Sequence, residues 1–97
     1  MFVITLTYVA PIEDIDALLP AHLEWLDRYY AAGTLLASGR RVPRTGGVIL
    51  ARATDRAELD AVLAEDPFRS EGAATYDVVE FAPTRTAPGL EGLIPTD

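Results

Sequence analysis

The sequence contains no cysteine and no lysine, and it has one histidine among 97 residues. Without cysteine the chain has no disulfide, no thiol nucleophile and no thiolate ligand for a metal. Without lysine it cannot form a Schiff base with a carbonyl substrate. A metal site would depend almost entirely on carboxylates, so we expect no metal and chemistry without a cofactor.

Positive charge is also scarce, since eight arginines stand against fifteen acidic residues and the net charge is −7. Residues 51–97 carry −6 of this excess. The one basic cluster, Arg40, Arg41 and Arg44, is too short to hold a phosphate backbone against that field. The glycine pair that follows it lacks the lysine and the helix of a phosphate-binding loop. We expect no nucleic-acid partner.

Long apolar runs are missing as well. No stretch approaches the ~20 residues that cross a bilayer, and the first residues lack the basic segment of a signal peptide. We therefore expect no membrane segment and a cytoplasmic protein. A single domain of this length buries only about two-thirds of the surface of its unfolded chain, so a partner subunit would stabilise it.

The sequence does contain a regular alternation of strand and helix patterns. They predict a strand at 2–9, a helix from 11 to about 32, strands at 34–39 and 48–53, a helix at 55–65, a short turn at 69–72 and a strand at 75–81. The order predicts an α+β fold of the ferredoxin-like βαββαβ type, with an antiparallel sheet and two helices on one face. We expect residues 1–82 to form this domain and the proline-containing residues 83–97 to form an extended tail.

The first helix contains a proline, which leaves two interpretations open. Pro20 cannot donate to the helical ladder. Either the helix kinks there, or a new helix begins at Pro20 and places His22 in its first turn, near the positive end of the helix dipole.

Two connecting segments contain residues that predict a specific local structure. Residues 40–47 predict a hairpin with a flexible, cationic tip that ends in the glycine pair. Asp55 and Glu58 have the spacing of a capping box at the start of the second helix.

The first strand has two apolar faces. One face carries Phe2, Ile4, Leu6 and Tyr8, and the other carries Val3, Thr5, Thr7 and Val9. Two helices cover only one face of a four-stranded sheet, so the other face needs a second cover. We expect a two-fold homodimer in which the two sheets face each other.

Several motifs together resemble the YciI-like, or YCII-related, proteins. They are Pro20-Ala21-His22-Leu23, the run Gly-Thr-Leu-Leu-Ala-Ser-Gly at 33–39, Gly46-Gly47, and Asp66-Pro67-Phe68, with Tyr76 in the last strand. The resemblance covers residues 1–82 and implies a dimeric α/β barrel of ferredoxin-like subunits. It also implies a cleft with a catalytic histidine and aspartate, which fall on His22 and Asp66. Gly39 is followed by Arg40 where the family often has proline, so the rim of the cleft differs.

The single histidine is the first candidate for proton transfer, because imidazole titrates near neutral pH. A carboxylate partner such as Asp66 would fix its tautomer and leave the far nitrogen to move a proton. The alternatives are structural: His22 as a core-edge side chain bonded to a backbone carbonyl, and Asp66 as an ordinary helix stop.

Four further residues are candidates for binding the substrate. Ser38 ends the second strand, and Arg40 would attract an anion to the mouth of the cleft. Tyr8 and Tyr76 lie on strands, where a ring can line a pocket and a phenol can hold an enolate. Each also has a structural alternative. Ser38 would be the small residue that fits beside Gly39, Arg40 would be part of a solvated hairpin tip, and the two tyrosines would only pack on their strands.

These residues favour a cofactor-independent enzyme of the lyase, dehydrohalogenase or isomerase type. Its substrate would be a small cyclic or aromatic hydroxy or carbonyl compound, held in a cleft of the homodimer. A non-catalytic dimeric module that binds a small ligand is the alternative, and it would return its ligand unaltered. A cofactor-free monooxygenase is the third candidate, and it would consume oxygen.

Overall fold

The chain forms one antiparallel sheet with helices packed on it. A computed structural model describes residues 1–95, so residues 96 and 97 of the predicted tail lie outside the described part. The elements are β1 (Phe2–Tyr8), α1 (Ile12–Ala31), β2 (Leu35–Arg40), β3 (Gly46–Ala51), α2 (Arg56–Ala64), α3 (Pro67–Ser70), β4 (Ala74–Glu80) and a 3₁₀ turn at Glu91–Leu93. The sheet order is β2-β3-β1-β4, with antiparallel neighbours throughout. The predicted ferredoxin-like α+β fold is confirmed.

The period-two pattern of β1 decides which face of the sheet is buried. Ile4 is fully buried and lies opposite Ile49 of β3 and Val78 of β4, so these three side chains share the helix-facing side. The helices complete this core with Ile15, Trp25, Leu59, Leu63 and Phe68. Each large side chain buried in this way stabilises the fold by about 1.5–3 kcal/mol.

α1 continues through Pro20 without interruption. Pro20 and Asp16 are both exposed, so water can bond the Asp16 carbonyl that the proline leaves without a helical donor. Ile15 before the proline and Trp25 after it are fully buried, and this packing holds both halves on the sheet. The interpretation that a new helix begins at Pro20 is therefore wrong. His22 lies in the middle of α1, away from the positive end of the helix dipole.

The glycine pair belongs to β3 and not to the hairpin tip, which corrects the predicted strand at 48–53. Gly46 and Gly47 pair with Thr7 and Leu6 of β1. A Cβ atom on Gly46 would lie 1.7 Å from the carbonyl oxygen of Leu6, so the two strands approach this closely only with glycine there. The hairpin tip shrinks to residues 41–45.

Both α2 and α3 begin after an aspartate that caps the helix. Asp55 accepts a hydrogen bond from the backbone nitrogen of Glu58 at 2.8 Å, as the capping box predicts. Asp66 caps α3 in the same way by accepting from the nitrogen of Phe68 at 3.1 Å. The short turn predicted for 69–72 forms two residues earlier, because Pro67 suits the first helical position.

The outer face of the sheet carries no helix among the described residues. Val3, Leu50 and Val79 share this face by register, and Val79 is 61% exposed. The tail crosses to the end of β3, where Arg52 donates to the carbonyl of Gly92 at 3.1 Å. No helix in residues 1–95 is long and apolar enough to cross a membrane.

Candidate functional site

His22 and Asp66 are in direct contact, although 44 positions separate them in the sequence. His22 comes from the middle of α1, and Asp66 lies in the short link between α2 and α3. Nδ1 of the imidazole is 2.8 Å from Oδ1 of the carboxylate. Asp66 is fully buried and His22 is 9% exposed. The structure thus brings together the two residues for which the sequence predicts catalysis.

Two aromatic rings fix the plane of the imidazole. Phe68 stacks on His22 with centroids 4.1 Å apart and 14° between the planes. Trp25, one turn along α1, has its ring centroid 5.7 Å away at 26°. The indole is itself anchored, because its Nε1 donates to the carbonyl of Val62 at 3.0 Å. The imidazole therefore has little freedom to turn away from Asp66.

The Asp66 carboxylate receives donors on both oxygens. Oδ1 accepts from His22 and from the backbone nitrogen of Phe68, and Oδ2 accepts from the Tyr76 hydroxyl at 2.5 Å. Burial raises the pKa of Tyr76 well above its ordinary value, and the charge of Asp66 raises it further. Tyr76 therefore stays protonated and donates. Because the other two partners of the carboxylate are donors, Nδ1 of His22 is assigned as the third donor.

A cavity of about 280 Å³ opens beside the imidazole. Its apolar wall is formed by Leu6, Leu19, Leu23, Leu26, Ile49 and Phe68. Its polar members include His22, Tyr8, Ser38 and Arg40. Because a dry cavity of about 150 Å³ accepts benzene, this one has room for a ring with several substituents.

The predicted substrate-binding residues fall into two groups. Tyr8, Ser38 and Arg40 line the cavity, whereas Tyr76 contacts Asp66 and does not line it. Ser38 shares a hydrogen bond of 2.5 Å with the hydroxyl of Tyr30. Arg40 is exposed and forms no ion pair with the described residues. The cavity wall therefore offers a cation, Arg40, and the hydroxyl of Ser38.

A larger groove, of about 650 Å³, lies at the opposite end of the sheet, between the tail and the end of β3. Its charged side chains already have partners: Arg52 donates to the tail, Glu58 accepts from Thr54 and Glu91 accepts from Gly89. None of the residues around His22 lines it. The smaller cavity is thus the candidate site.

The described residues contain no group of three or more histidine, aspartate or glutamate side chains that could hold a metal ion. The charge nearest to His22 is the carboxylate of Asp66.

The sequence interpretation missed what Phe68 and Tyr30 do. The sequence identifies Phe68 only as part of the Asp66-Pro67-Phe68 motif, and it assigns no role to Tyr30. The ring contact of Phe68 and the hydroxyl contact of Tyr30 depend on packing between elements far apart in the sequence. The one local signal for Phe68 is its place two residues after Asp66, whose carboxylate accepts from its backbone nitrogen.

Comparison with known proteins gives a family and a fold. The family model described as "YCII-related domain" matches residues 1–82. No curated protein sequence matches. Among solved structures, the chain resembles 5-chloro-2-hydroxyhydroquinone dehydrochlorinase (TftG) from Burkholderia phenoliruptrix AC1100, in complex with 2,5-dihydroxybenzoquinone. The two share 18% sequence identity with a TM-score of 0.70, over 84% of this chain and 93% of that chain. At this identity the likeness shows a shared fold.

Proposed function

Because the chain belongs to the YCII-related family, we propose that it is an enzyme in which His22 acts as general base and general acid on a small cyclic or aromatic hydroxy or carbonyl compound. One observation carries this proposal. Buried Asp66 holds Nδ1 of an imidazole that lines a cavity, and within residues 1–95 nothing bonds Nε2. Nε2 is then the nitrogen that reaches a ligand.

In this pair the two ring nitrogens of His22 have different roles. Asp66 keeps the proton on Nδ1, so Nε2 has a lone pair that accepts a proton from a substrate hydroxyl. The carboxylate then stabilises the imidazolium that forms, without taking the proton itself. The same Nε2–H can return the proton to a ring carbon. This exchange converts an enol or phenol into its keto tautomer.

Elimination follows when that ring carbon carries a halide. In a chlorinated hydroquinone, the carbon that receives the proton bears the chlorine, beside the new carbonyl. Nε2 then removes the proton of the hydroxyl para to that carbonyl, and the O–H electron pair forms a second carbonyl. The ring C=C bond at that carbon shifts to the carbon that bears the chlorine, and the C–Cl electron pair leaves with chloride. The net change is loss of HCl with formation of a quinone, so no external oxidant is needed. A substrate without a leaving group would only isomerise.

The cavity mouth gives the other predicted residues their roles. Arg40 attracts an anionic oxygen of the substrate, and Ser38, whose hydroxyl is held by that of Tyr30, bonds a second oxygen. Tyr8, whose ring meets Phe68 edge-on at 5.9 Å, positions the substrate ring beside Nε2 of the imidazole.

The proposed assembly is a homodimer through the outer face of the sheet. The support is the apolar row of Val3, Leu50 and Val79, which has no cover among the described residues. A second copy of the same face would cover it with the symmetry that most homodimers have.

Chloride release from 5-chloro-2-hydroxyhydroquinone under anaerobic conditions tests the proposed chemistry. We expect turnover by the wild type and a fall of about 100-fold or more in His22→Asn, because general acid–base groups contribute on that scale. Glu24→Gln, an exposed change on the same helix, is the matched control and should keep full activity. Unchanged turnover in His22→Asn would contradict the mechanism.

Two other measurements separate the alternatives. If 2,5-dihydroxybenzoquinone binds but no compound of this class is altered after long incubation, the protein is a binding module. If oxygen uptake accompanies turnover in air, it is a cofactor-free monooxygenase.

A further inference from the structure

We infer that Tyr76 is a positioning residue, which holds the Asp66 carboxylate in the orientation that His22 requires. This inference rests on the proposed function of His22. It assigns Tyr76 a role different from the substrate contact that the sequence predicts. The contacts of Tyr76, described next, are the reason for the change.

The side chain of Tyr76 approaches Asp66 from the sheet. Tyr76 lies opposite Leu6 in the register of β4 and β1, so it points to the helix-facing side. Its hydroxyl donates to Oδ2 of Asp66 at 2.5 Å, whereas His22 and the Phe68 nitrogen both bond Oδ1. Among the described contacts, Tyr76 alone supplies a donor to Oδ2.

Burial makes this single donor important. Asp66 has no exposed surface, so water does not replace a lost partner without rearrangement. A carboxylate bonded on both oxygens cannot rotate about its Cβ–Cγ bond without breaking a hydrogen bond. A carboxylate bonded only on Oδ1 can rotate and carry that oxygen away from Nδ1. The hydroxyl of Tyr76 therefore fixes the direction in which Oδ1 points.

The position of the Tyr76 ring argues against direct contact with substrate. The ring is absent from the cavity wall. It lies instead beneath the guanidinium of Arg69, whose central carbon is 5.5 Å from the ring centroid. Phenylalanine would keep this ring in place and remove only the hydroxyl.

The test compares Tyr76→Phe with Tyr29→Phe. Tyr29 is a matched control, because its hydroxyl also donates to a carboxylate, that of exposed Glu65, which has no contact with His22. In ¹⁵N NMR the one histidine of the chain gives unambiguous ring signals without any substrate. We expect the Nδ1 signal to move and broaden in Tyr76→Phe and to stay unchanged in Tyr29→Phe.

The kinetic readout uses chloride release from 5-chloro-2-hydroxyhydroquinone. In Tyr76→Phe, kcat should fall about tenfold, the scale of lost outer-shell hydrogen bonds, while KM stays the same. A raised KM with unchanged kcat would overturn the inference and make Tyr76 a substrate-binding residue. Unchanged NMR signals and an unchanged kcat would also overturn it.

Two precautions keep the result decisive. If Tyr76→Phe does not fold, site-specific 3-fluorotyrosine at position 76 retains the hydroxyl and the packing but changes its acidity. The His22 Nδ1 signal should then move, and a signal that does not move overturns the inference. Failure of the proposed function shows separately, as turnover that survives in His22→Asn, and leaves the NMR comparison valid.

Discussion

The ring of Phe68 lies almost parallel to the imidazole of His22, with centroids 4.1 Å apart. Phe68 is also the residue whose backbone nitrogen bonds Asp66. One residue therefore sets both the plane of the histidine ring and one bond of its carboxylate partner. The stability of α3 and the geometry of the site are coupled through this residue.

Replacing Phe68 with leucine should reduce both stability and activity. The smaller side chain leaves a cavity and no flat surface for the imidazole, so we expect a loss of about 1–2 kcal/mol in the free energy of unfolding. We also expect a fall of about tenfold in kcat as the ring loses its fixed plane. Phe2→Leu, equally buried but on β1 and outside the cavity wall, is the control. Urea unfolding should show a similar loss in both, and equal kcat values in the two variants would refute this role.

Alkaline conditions should destabilise the fold through Tyr76. The pKa of Tyr76 is raised in the folded protein, so the unfolded chain loses this proton first as pH rises. Stability is therefore fully present below pH ~10 and falls above it, by about 1.4 kcal/mol per pH unit for this one group. Urea unfolding between pH 8 and pH 11, a range set around the ordinary tyrosine value of about 10, measures the slope. An identical slope in Tyr76→Phe would show that another group is responsible.

Gly46→Ala should be strongly destabilising. Its Cβ would lie 1.7 Å from the Leu6 carbonyl oxygen, so β1 and β3 would have to move apart. We expect a loss of about 1–3 kcal/mol in the free energy of unfolding. Gly39→Ala is the matched control, because a Cβ there meets nothing within 4 Å, and its stability should change by less than about 0.5 kcal/mol. Equal melting temperatures for the two variants would contradict the close approach of the strands.

Val79→Asp should weaken the proposed homodimer. A charge in the middle of an apolar contact would be buried without a partner, so the monomer fraction should rise. Val42→Asp at the hairpin tip, where Val42 is 98% exposed, should leave the assembly unchanged. Sedimentation velocity at micromolar concentration measures the ratio. A wild type that sediments as a monomer would refute the dimer.

Much of the fold follows from local patterns in the sequence. The alternation in β1 identifies the side on which Phe2 and Ile4 are buried, and the capping signal at Asp55 locates the start of α2. Predictions from local patterns were wrong where tertiary contacts determine the bounds of a helix or strand. Pro20 does not end α1, because packing on both sides of it holds the helix. Gly46 lies within β3, where glycine is required because β1 passes too close for any side chain.

Less of the candidate site could be predicted from local sequence patterns. His22 stands out because it is the one histidine, but nothing in its own helix points to residue 66. That partnership is implied by the family resemblance, and the structure places the two side chains 2.8 Å apart. The bond from Tyr76 to Asp66 depends on the register of β4, which the sequence does not specify to a single residue.

The chain's one tryptophan lies against its one histidine. When the imidazole gains a proton, a cation forms on the face of the indole. The electric field across Trp25 then changes, and its fluorescence should change with it. The protein thus contains its own optical reporter, and stopped-flow emission would follow the proton on His22 during the proposed reaction without any added label.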